Sequence, residues 1–401
     1  MRVLIIFIVT SVLIFADDWP QFRGVDRNGI SGETGISKDW KANPPKELWR
    51  TSVSDDGFAG PSAAGGMVYV IDREGSGDAL RAIDMSGKEV WKYSYPEKAS
   101  FNYGFSRSTP AYNNGKVYGL SMYGHFYCVD AKTGAEVWAM NIVKKFGGVL
   151  PKWQYALSPF IDGDNVIIVP GGGKNPIAVN KESGEMVWQG DVEEGVSYAT
   201  PVVATIGGIK QYILFLAKSL TGVDANGRKL WSVPWETSYD VNAALPLVID
   251  DRIFITSGYK HGCALVKVDG KSASIVWENK NVQAHFSSPV LYNGAIYASS
   301  DPDDVVCLDI DTGNVKWRKG VIEKGGFIII DGVIIAHHGK TGEVIMIEAN
   351  PAAYTELGRF QPFKDGKPAG TKNWHFWTAP IVVDKKLIVR SPLEMACFDL
   401  Q

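Results

Sequence analysis

The sequence predicts an all-β fold: an eight-bladed β-propeller with four-stranded antiparallel blades, closed by pairing of the N-terminal strand with the C-terminal blade. Three observations predict it. One hairpin pattern recurs along the chain, a tryptophan ends most copies, and the two ends of the chain hold complementary halves of one further copy. Counting Trp49, successive tryptophans at 91, 138, 188, 231, 277 and 317 lie 42, 47, 50, 43, 46 and 40 residues apart. A period of that length marks a repeat architecture.

The pattern is clearest at residues 125–138, HFYCVDAKTGAEVW. Two apolar runs alternating at period two flank a tight turn, in which Asp130 or Thr133 can hydrogen-bond the backbone and Gly134 can adopt a positive φ. The same hairpin ends at Trp91, Trp188, Trp231, Trp277 and Trp317. Residues 395–399 supply a first half without a second, and residues 46–50 a second half without a first. Pairing them turns a row of repeats into a ring and removes unpaired strand edges, whereas an open solenoid needs polar capping repeats.

In chain order, Met1 and Arg2 precede an apolar run, Val3 to Phe15, that is too short to span a bilayer and exits through Ala16. This predicts a secretory signal over 1–16, cleaved after Ala16, with an uncleaved anchor as the alternative. No cysteine near the break offers a lipid-attachment site, and no later stretch is long and apolar enough to span a membrane. The expected location is periplasmic or secreted. Residues 17–45 are rich in turn formers; Trp19, Phe22 and Trp40 predict an N-terminal arm packed on the propeller rather than a disordered one. The propeller itself is read at 46–401.

The inner strand often opens with a small residue and proline, as at Thr109-Pro110, Ser158-Pro159, Thr200-Pro201 and Ser288-Pro289. Proline suits a first strand residue because it cannot donate to the ladder. The second strand is an apolar run such as 116–120, and the hairpin supplies the third and fourth. The seventh repeat, 325–360, lacks both the Ser-Pro start and the tryptophan; its outer strand falls near Leu357. Each indole is expected to wedge between neighbouring blades.

Cys128, Cys307 and Cys397 occupy one place in three repeats, so rotation about the ring axis keeps them beyond the roughly 7 Å Cα limit for a bridge. No disulfide is expected, Cys263 included. Without Arg2 the chain carries 40 basic and 44 acidic residues, and no basic run, which argues against nucleic acid as a partner.

The hairpin with Ala or Cys, then Asp, Thr-Gly and a terminal Trp resembles the tryptophan-docking repeat of the PQQ-like, quinoprotein-type propellers, over about 46–401. That resemblance implies one of two activities: pyrroloquinoline-quinone alcohol and sugar dehydrogenases, or non-catalytic propellers such as the scaffold lipoprotein of the outer-membrane β-barrel assembly machinery. Residues 19–24, WPQFRG, are also similar to the leader of exported propellers of this family. The chain departs from the dehydrogenases in having no adjacent cysteines, and no calcium ligand or catalytic aspartate can be matched. It departs from the assembly lipoprotein in lacking an acylated cysteine.

In a four-stranded blade, the segment leading into the inner strand and the loop between second and third strands share one face. All six histidines map there: His285 and His375 before inner strands, His125, His261, His337 and His338 at the second loops. Arg107, Trp153, Gln154, Tyr155, Tyr198, Asp240, Asn242, Trp374 and Trp377 fall in the same leading segments. Together with His285 and His375 they are the candidate ligand or partner face, against the plainer reading that longer loops collect more of every residue. His337-His338 would face opposite ways on a strand, Asp301-Asp303-Asp304 lacks the glycine and distal glutamate of a calcium loop, and Gly171-Gly172-Gly173 leads into a strand rather than a helix. No nucleophile elbow and no HExxH motif occur.

Two functions follow. The first is an exported, monomeric, non-catalytic binding or scaffold module using that face, with an envelope protein or small ligand as partner, and no catalytic residue or metal. The alternative is an oxidoreductase holding PQQ with calcium in a minimal chamber.

Overall fold

A computed structural model describes residues 18–53, 57–97, 106–363 and 374–401. The leader read at 1–16 lies outside them. Eight antiparallel sheets follow one another along the chain. Blade 1 spans 62–96, blade 2 111–141, blade 3 160–192, blade 4 202–234, blade 5 247–279, blade 6 290–320 and blade 7 327–360. Blade 8 joins Ile381–Val383, Lys386–Arg390 and Glu394–Asp399 to the N-terminal strand Lys46–Ser52. Head therefore meets tail, and Trp49 stands opposite Cys397 as Trp138 stands opposite Cys128 and Trp317 opposite Cys307.

The second and third strands are continuous apolar runs because neighbouring blades cover both of their faces. Phe126, Tyr127, Cys128 and Val129 are all fully buried. All four cysteines are buried free thiols, and burial pushes that of Cys128 up to about 12. The outer strands alternate, since one face meets water.

Most hairpin turns are built by an Asp or Asn. The Asp130 carboxylate accepts from the Lys132 and Thr133 amides and from the Thr133 hydroxyl (3.1, 2.9 and 2.8 Å), which holds the carboxyl below its ordinary pKa. Asn180 and Asp309 repeat the device. Gly134 takes φ 72° there, and a Cβ on it would stand 2.5 Å from the Trp91 ring. Glycine is required at this place twice over, by backbone conformation and by the indole lying on it. Gly87 under Trp49, Gly184 under Trp138, Gly227 under Trp188 and Gly313 under Trp277 are built alike.

These contacts join blades to their neighbours. Trp91 Nε1 donates to Ala131 O (3.0 Å), Trp138 to Lys181 O (2.9 Å), Trp277 to Ile310 O (3.2 Å) and Trp317 to Asn350 O (2.8 Å), in each case one blade along. Trp231 reaches blade 5 through a relay: its Nε1 donates to Gln211 Oε1 (2.6 Å), and Gln211 Nε2 donates to Gly270 O (3.0 Å). At about 150–250 Å² per ring, burial of each indole is worth roughly 4–6 kcal/mol gross.

Every outer strand carries a β-bulge at one place. The ladder skips the residue before each indole, Val137 before Trp138 for example, and in blade 7 it skips Leu357. The docking position of blade 7 is therefore Gly358, opposite Met346.

Trp40 of the arm fills that gap. It is only 2% exposed, and a Cβ on Gly358 would lie 2.6 Å from its Cβ. Its ring meets Phe360 edge-on (centroids 5.4 Å), and Phe360 meets Phe398 of blade 8 at 4.9 Å.

Residues 18–40 cross the mouth of the ring on the turn-bearing face. Trp19 exchanges two 2.8 Å backbone hydrogen bonds with Ala63 of blade 1, and Pro20 O accepts from Tyr112 N of blade 2 (2.7 Å). Arg27 Nη2 donates to Ile161 O of blade 3 (2.8 Å), its guanidinium 4.1 Å above the Phe160 ring centroid. Ile30–Ser31 adds a parallel strand to Phe327–Ile330 of blade 7, and Ser37 N donates to Leu400 O (2.6 Å).

Candidate functional site

Along the ring axis runs a cavity of about 420 Å³. Trp19, Phe22 and Arg23 of the arm line it on one side; on the other it meets the loops that lead into the inner strands. Its waist is a partial ring of hydroxyls from the residues before the inner-strand prolines. Ser158 Oγ accepts from Thr109 N (3.0 Å), Thr200 Oγ1 from Ser158 N (2.8 Å) and Ser288 Oγ from Leu245 N (3.0 Å). Each link joins a blade to its neighbour. A small hydroxyl residue there thus satisfies the preceding blade's amide and leaves the axis open.

Above the waist, aromatic rings form an unbroken arc around the mouth. Phe58 touches Trp377 (4.9 Å), Trp377 touches Phe286 (5.0 Å), and Phe286 touches His285 (5.6 Å). From there the arc runs through Tyr259 (4.7 Å), Tyr239 (5.4 Å), Trp153 (5.6 Å) and Tyr198 (6.2 Å). Several of its loops hold non-glycine residues in the left-handed region: Tyr239 at φ 62°, Tyr259 at 55° and Lys324 at 56°. Such conformations cost of order 1–3 kcal/mol each and collect at functional sites. Tyr239 is more than half exposed despite its size.

Of the residues read from sequence as the ligand face, Arg107, Trp153, Tyr198, His285 and Trp377 line the cavity. Arg107 Nη1 donates to Trp153 O (2.5 Å), and Tyr198 Oη accepts from Trp153 N (3.1 Å). Burial raises the Tyr198 phenol to about 12. His285 Nδ1 lies 3.2 Å from Asp301 Oδ2, and Lys324 Nζ 3.9 Å from the same oxygen.

The others lie away from the cavity. Tyr155 is buried between blades 2 and 3 and donates to Pro170 O (2.5 Å). Asn242 is fully buried; its Nδ2 donates to Leu216 O (2.7 Å) and its Oδ1 accepts from Ser257 Oγ (2.8 Å). Both side chains hold loops in place. Gln154 takes φ 59° with its side-chain oxygen buried, Asp240 pairs with Lys218 at 2.8 Å on the rim, and Trp374 packs edge-on to Phe376. His375 stacks flat on Trp377 (4.2 Å, 8°) and so braces the arc from behind. His337 is buried, donating from Nδ1 to Thr378 O (3.1 Å).

Sequence reasoning missed Phe58, Tyr259, Phe286 and Lys324. Gly60-Pro61, two residues after Phe58, is blade 1's version of the small-residue–proline start and was a usable signal. Nothing in the sequence brings Trp19, Phe22 and Arg23 to the axis.

A family model described as outer membrane protein assembly factor BamB matches residues 39–101 and 76–319. The chain belongs to that family. A BamB of Burkholderia pseudomallei is 25% identical over 301 residues, covering 72% of each chain. Among solved structures, BamB from Moraxella catarrhalis aligns with a TM-score of 0.61 at 16% identity, over 88% of this chain and 98% of the other. Quinohemoprotein alcohol dehydrogenase from Comamonas testosteroni aligns at 0.67 and 14% identity, over 95% of this chain and 80% of the other. At these identities the structural likeness shows the fold alone.

Calcium with pyrroloquinoline quinone can be tested against the residues present. Calcium takes six to eight oxygens, carboxylates foremost. The described lining carries Arg23, Arg107 and Lys324 and no carboxylate, and no cluster of three or more His, Cys, Asp or Glu suited to a metal occurs among the described residues. Among the described residues, the lining offers no carboxylate set that fits a calcium-held cofactor. No helix among the described residues is long and apolar enough to cross a membrane.

Proposed function

We propose that this chain is a non-catalytic scaffold of the cell envelope, exported by residues 1–16, that works as a monomer and grips a protein of outer-membrane assembly with its aromatic rim. The observation that carries this reading is the unbroken arc from Phe58 to Tyr198 around one mouth, with Tyr239 held exposed by a left-handed backbone. Rigid aromatic surfaces at low entropic cost are what binding hot spots use. The opposite mouth, crossed by residues 18–40, is taken up by the protein's own arm. Family membership supports the same reading, since its members carry the name of outer membrane protein assembly factors.

The test is complementation in the native host. Deleting the gene is expected to lower the level of outer-membrane β-barrel proteins. The wild-type chain should restore it, and a folded Tyr239→Ala/Trp377→Ala variant should not. Cross-linking to an assembly protein from a probe at the exposed neighbouring position Lys260 should fall roughly 10- to 100-fold in that variant. Full complementation by it would overturn the rim as the binding face. Reconstitution with pyrroloquinoline quinone and calcium is expected to give no dye reduction with alcohols or sugars; turnover abolished by Arg107→Ala would reverse the non-catalytic assignment.

A further inference from the structure

We propose that the floor of the axial cavity binds a small organic anion, a carboxylate on an apolar body, with one oxygen accepting from the guanidinium of Arg23. This goes beyond the partner reading and does not rest on it.

Arg23 is carried into the axis by the arm. Its Nη1 donates to Ser288 O (3.0 Å), its Nη2 to Asn28 O (2.7 Å) and Pro289 O (2.6 Å), and its Nε to Arg27 O (3.4 Å). Four of five N–H groups are thereby satisfied, and one on Nη1 is left over. Carbonyls satisfy hydrogen bonds but do not neutralise charge, and no Asp or Glu among the described residues lies within ion-pair distance. Burial alone lowers its pKa, to about 9. A half-buried guanidinium facing the cavity without a counter-ion is an arrangement a bound anion completes, and its remaining Nη1 N–H can donate a charge-assisted hydrogen bond to one carboxylate oxygen.

The rest of the lining agrees. Arg107 and Lys324 also line the cavity, Lys324 with Asp301 3.9 Å behind it, and no carboxylate is among the described lining residues, although the whole chain is net negative. Cations in a low-dielectric cleft focus the field on an entering anion. Between them the wall is apolar, with Trp19, Phe22, Phe286 and Trp377, so an inorganic ion would leave most of the surface unused. About 420 Å³ suits a small molecule rather than a polymer.

Calorimetry on the purified chain tests this with octanoate and 3-phenylpropionate against octanamide, and with inorganic phosphate as a separate arm. Either carboxylate should bind and raise the melting temperature. Octanamide, equal in its apolar body but uncharged, should bind at least about tenfold more weakly than octanoate. Equal binding of octanoate and octanamide would overturn the anion site, and so would phosphate binding as tightly as both carboxylates. Arg23→Gln should abolish the preference for the charged ligand. Should that variant fail to fold, Ala243→Trp, which fills the cavity from the wall and leaves Arg23 in place, should abolish carboxylate binding; unchanged affinity would sink the proposal. Ala243→Trp in the complementation assay separates the two readings, because loss of the ligand there should leave the rim intact.

Discussion

Two joints of this ring solve one problem differently. Between blades 2 and 3, Trp138 lies on Gly184 and donates to Lys181 O, with the Asn180 turn presenting both. Between blades 7 and 8 neither partner exists. Blade 7 has Gly358 at the docking position, and the third and fourth strands of blade 8 come from opposite ends of the chain, so no continuous turn connects them. Trp40 fills the space both defects leave, and the arm that carries it also lays the cavity floor. The difference teaches that a blade joint needs an indole's volume at a fixed place, whichever segment supplies it. It also ties ring closure to the cavity: what locks blade 7 to blade 8 positions Arg23.

The comparison can be broken most forcefully by removing either indole. Trp138→Ala and Trp40→Ala should each cost about 3–5 kcal/mol in denaturant unfolding. Only Trp40→Ala should expose residues 18–40 to proteolysis; equal protection of the arm in both variants would mean Trp40 does not anchor it.

The second difference is pH. His337 lies at the same 7–8 joint, against Phe376, and burial lowers its pKa to about 4. With a folded value below the unfolded one of about 6.5, the unfolded chain binds the extra proton between those limits. Stability should therefore fall as pH drops from about 6.5 to 4, by roughly 2–4 kcal/mol, and level off below. His337→Gln should flatten that limb; an unchanged pH profile would acquit the histidine.

Restoring the missing tryptophan sharpens the comparison further. Gly358→Trp should collide with Trp40 and cost about 1–3 kcal/mol. Combined with Trp40→Ala it should recover part of that loss, and a double-mutant cycle with no coupling would deny that the two share one space. The smallest effect belongs to the 2–3 joint: Asn180→Ala removes the turn's acceptor and should cost about 0.5–1.5 kcal/mol in the same unfolding assay.

The repeat and the closure were legible because they rest on local chemistry. Asp130, Thr133 and Gly134 write a turn in five residues, and Trp49 and Cys397 show that two half-hairpins complete each other. The candidate face was legible by halves. Topology assigns whole loops to one end of the ring, so Arg107, Trp153, Tyr198, His285 and Trp377 could be placed there. It does not say which side chain of a loop turns inward: neighbouring Trp153 and Tyr155 part company, one facing the axis and the other buried against Pro170.

What the sequence alone determined is the blade: period-two strands, Asx turns with glycine, and an indole every forty to fifty residues, all set by neighbours within one hairpin. What the tertiary structure decided is everything the arm does, from Trp40 over Gly358 to Arg23 beneath the waist. Those partners lie hundreds of residues apart and are matched by shape and buried charge, which no local pattern encodes.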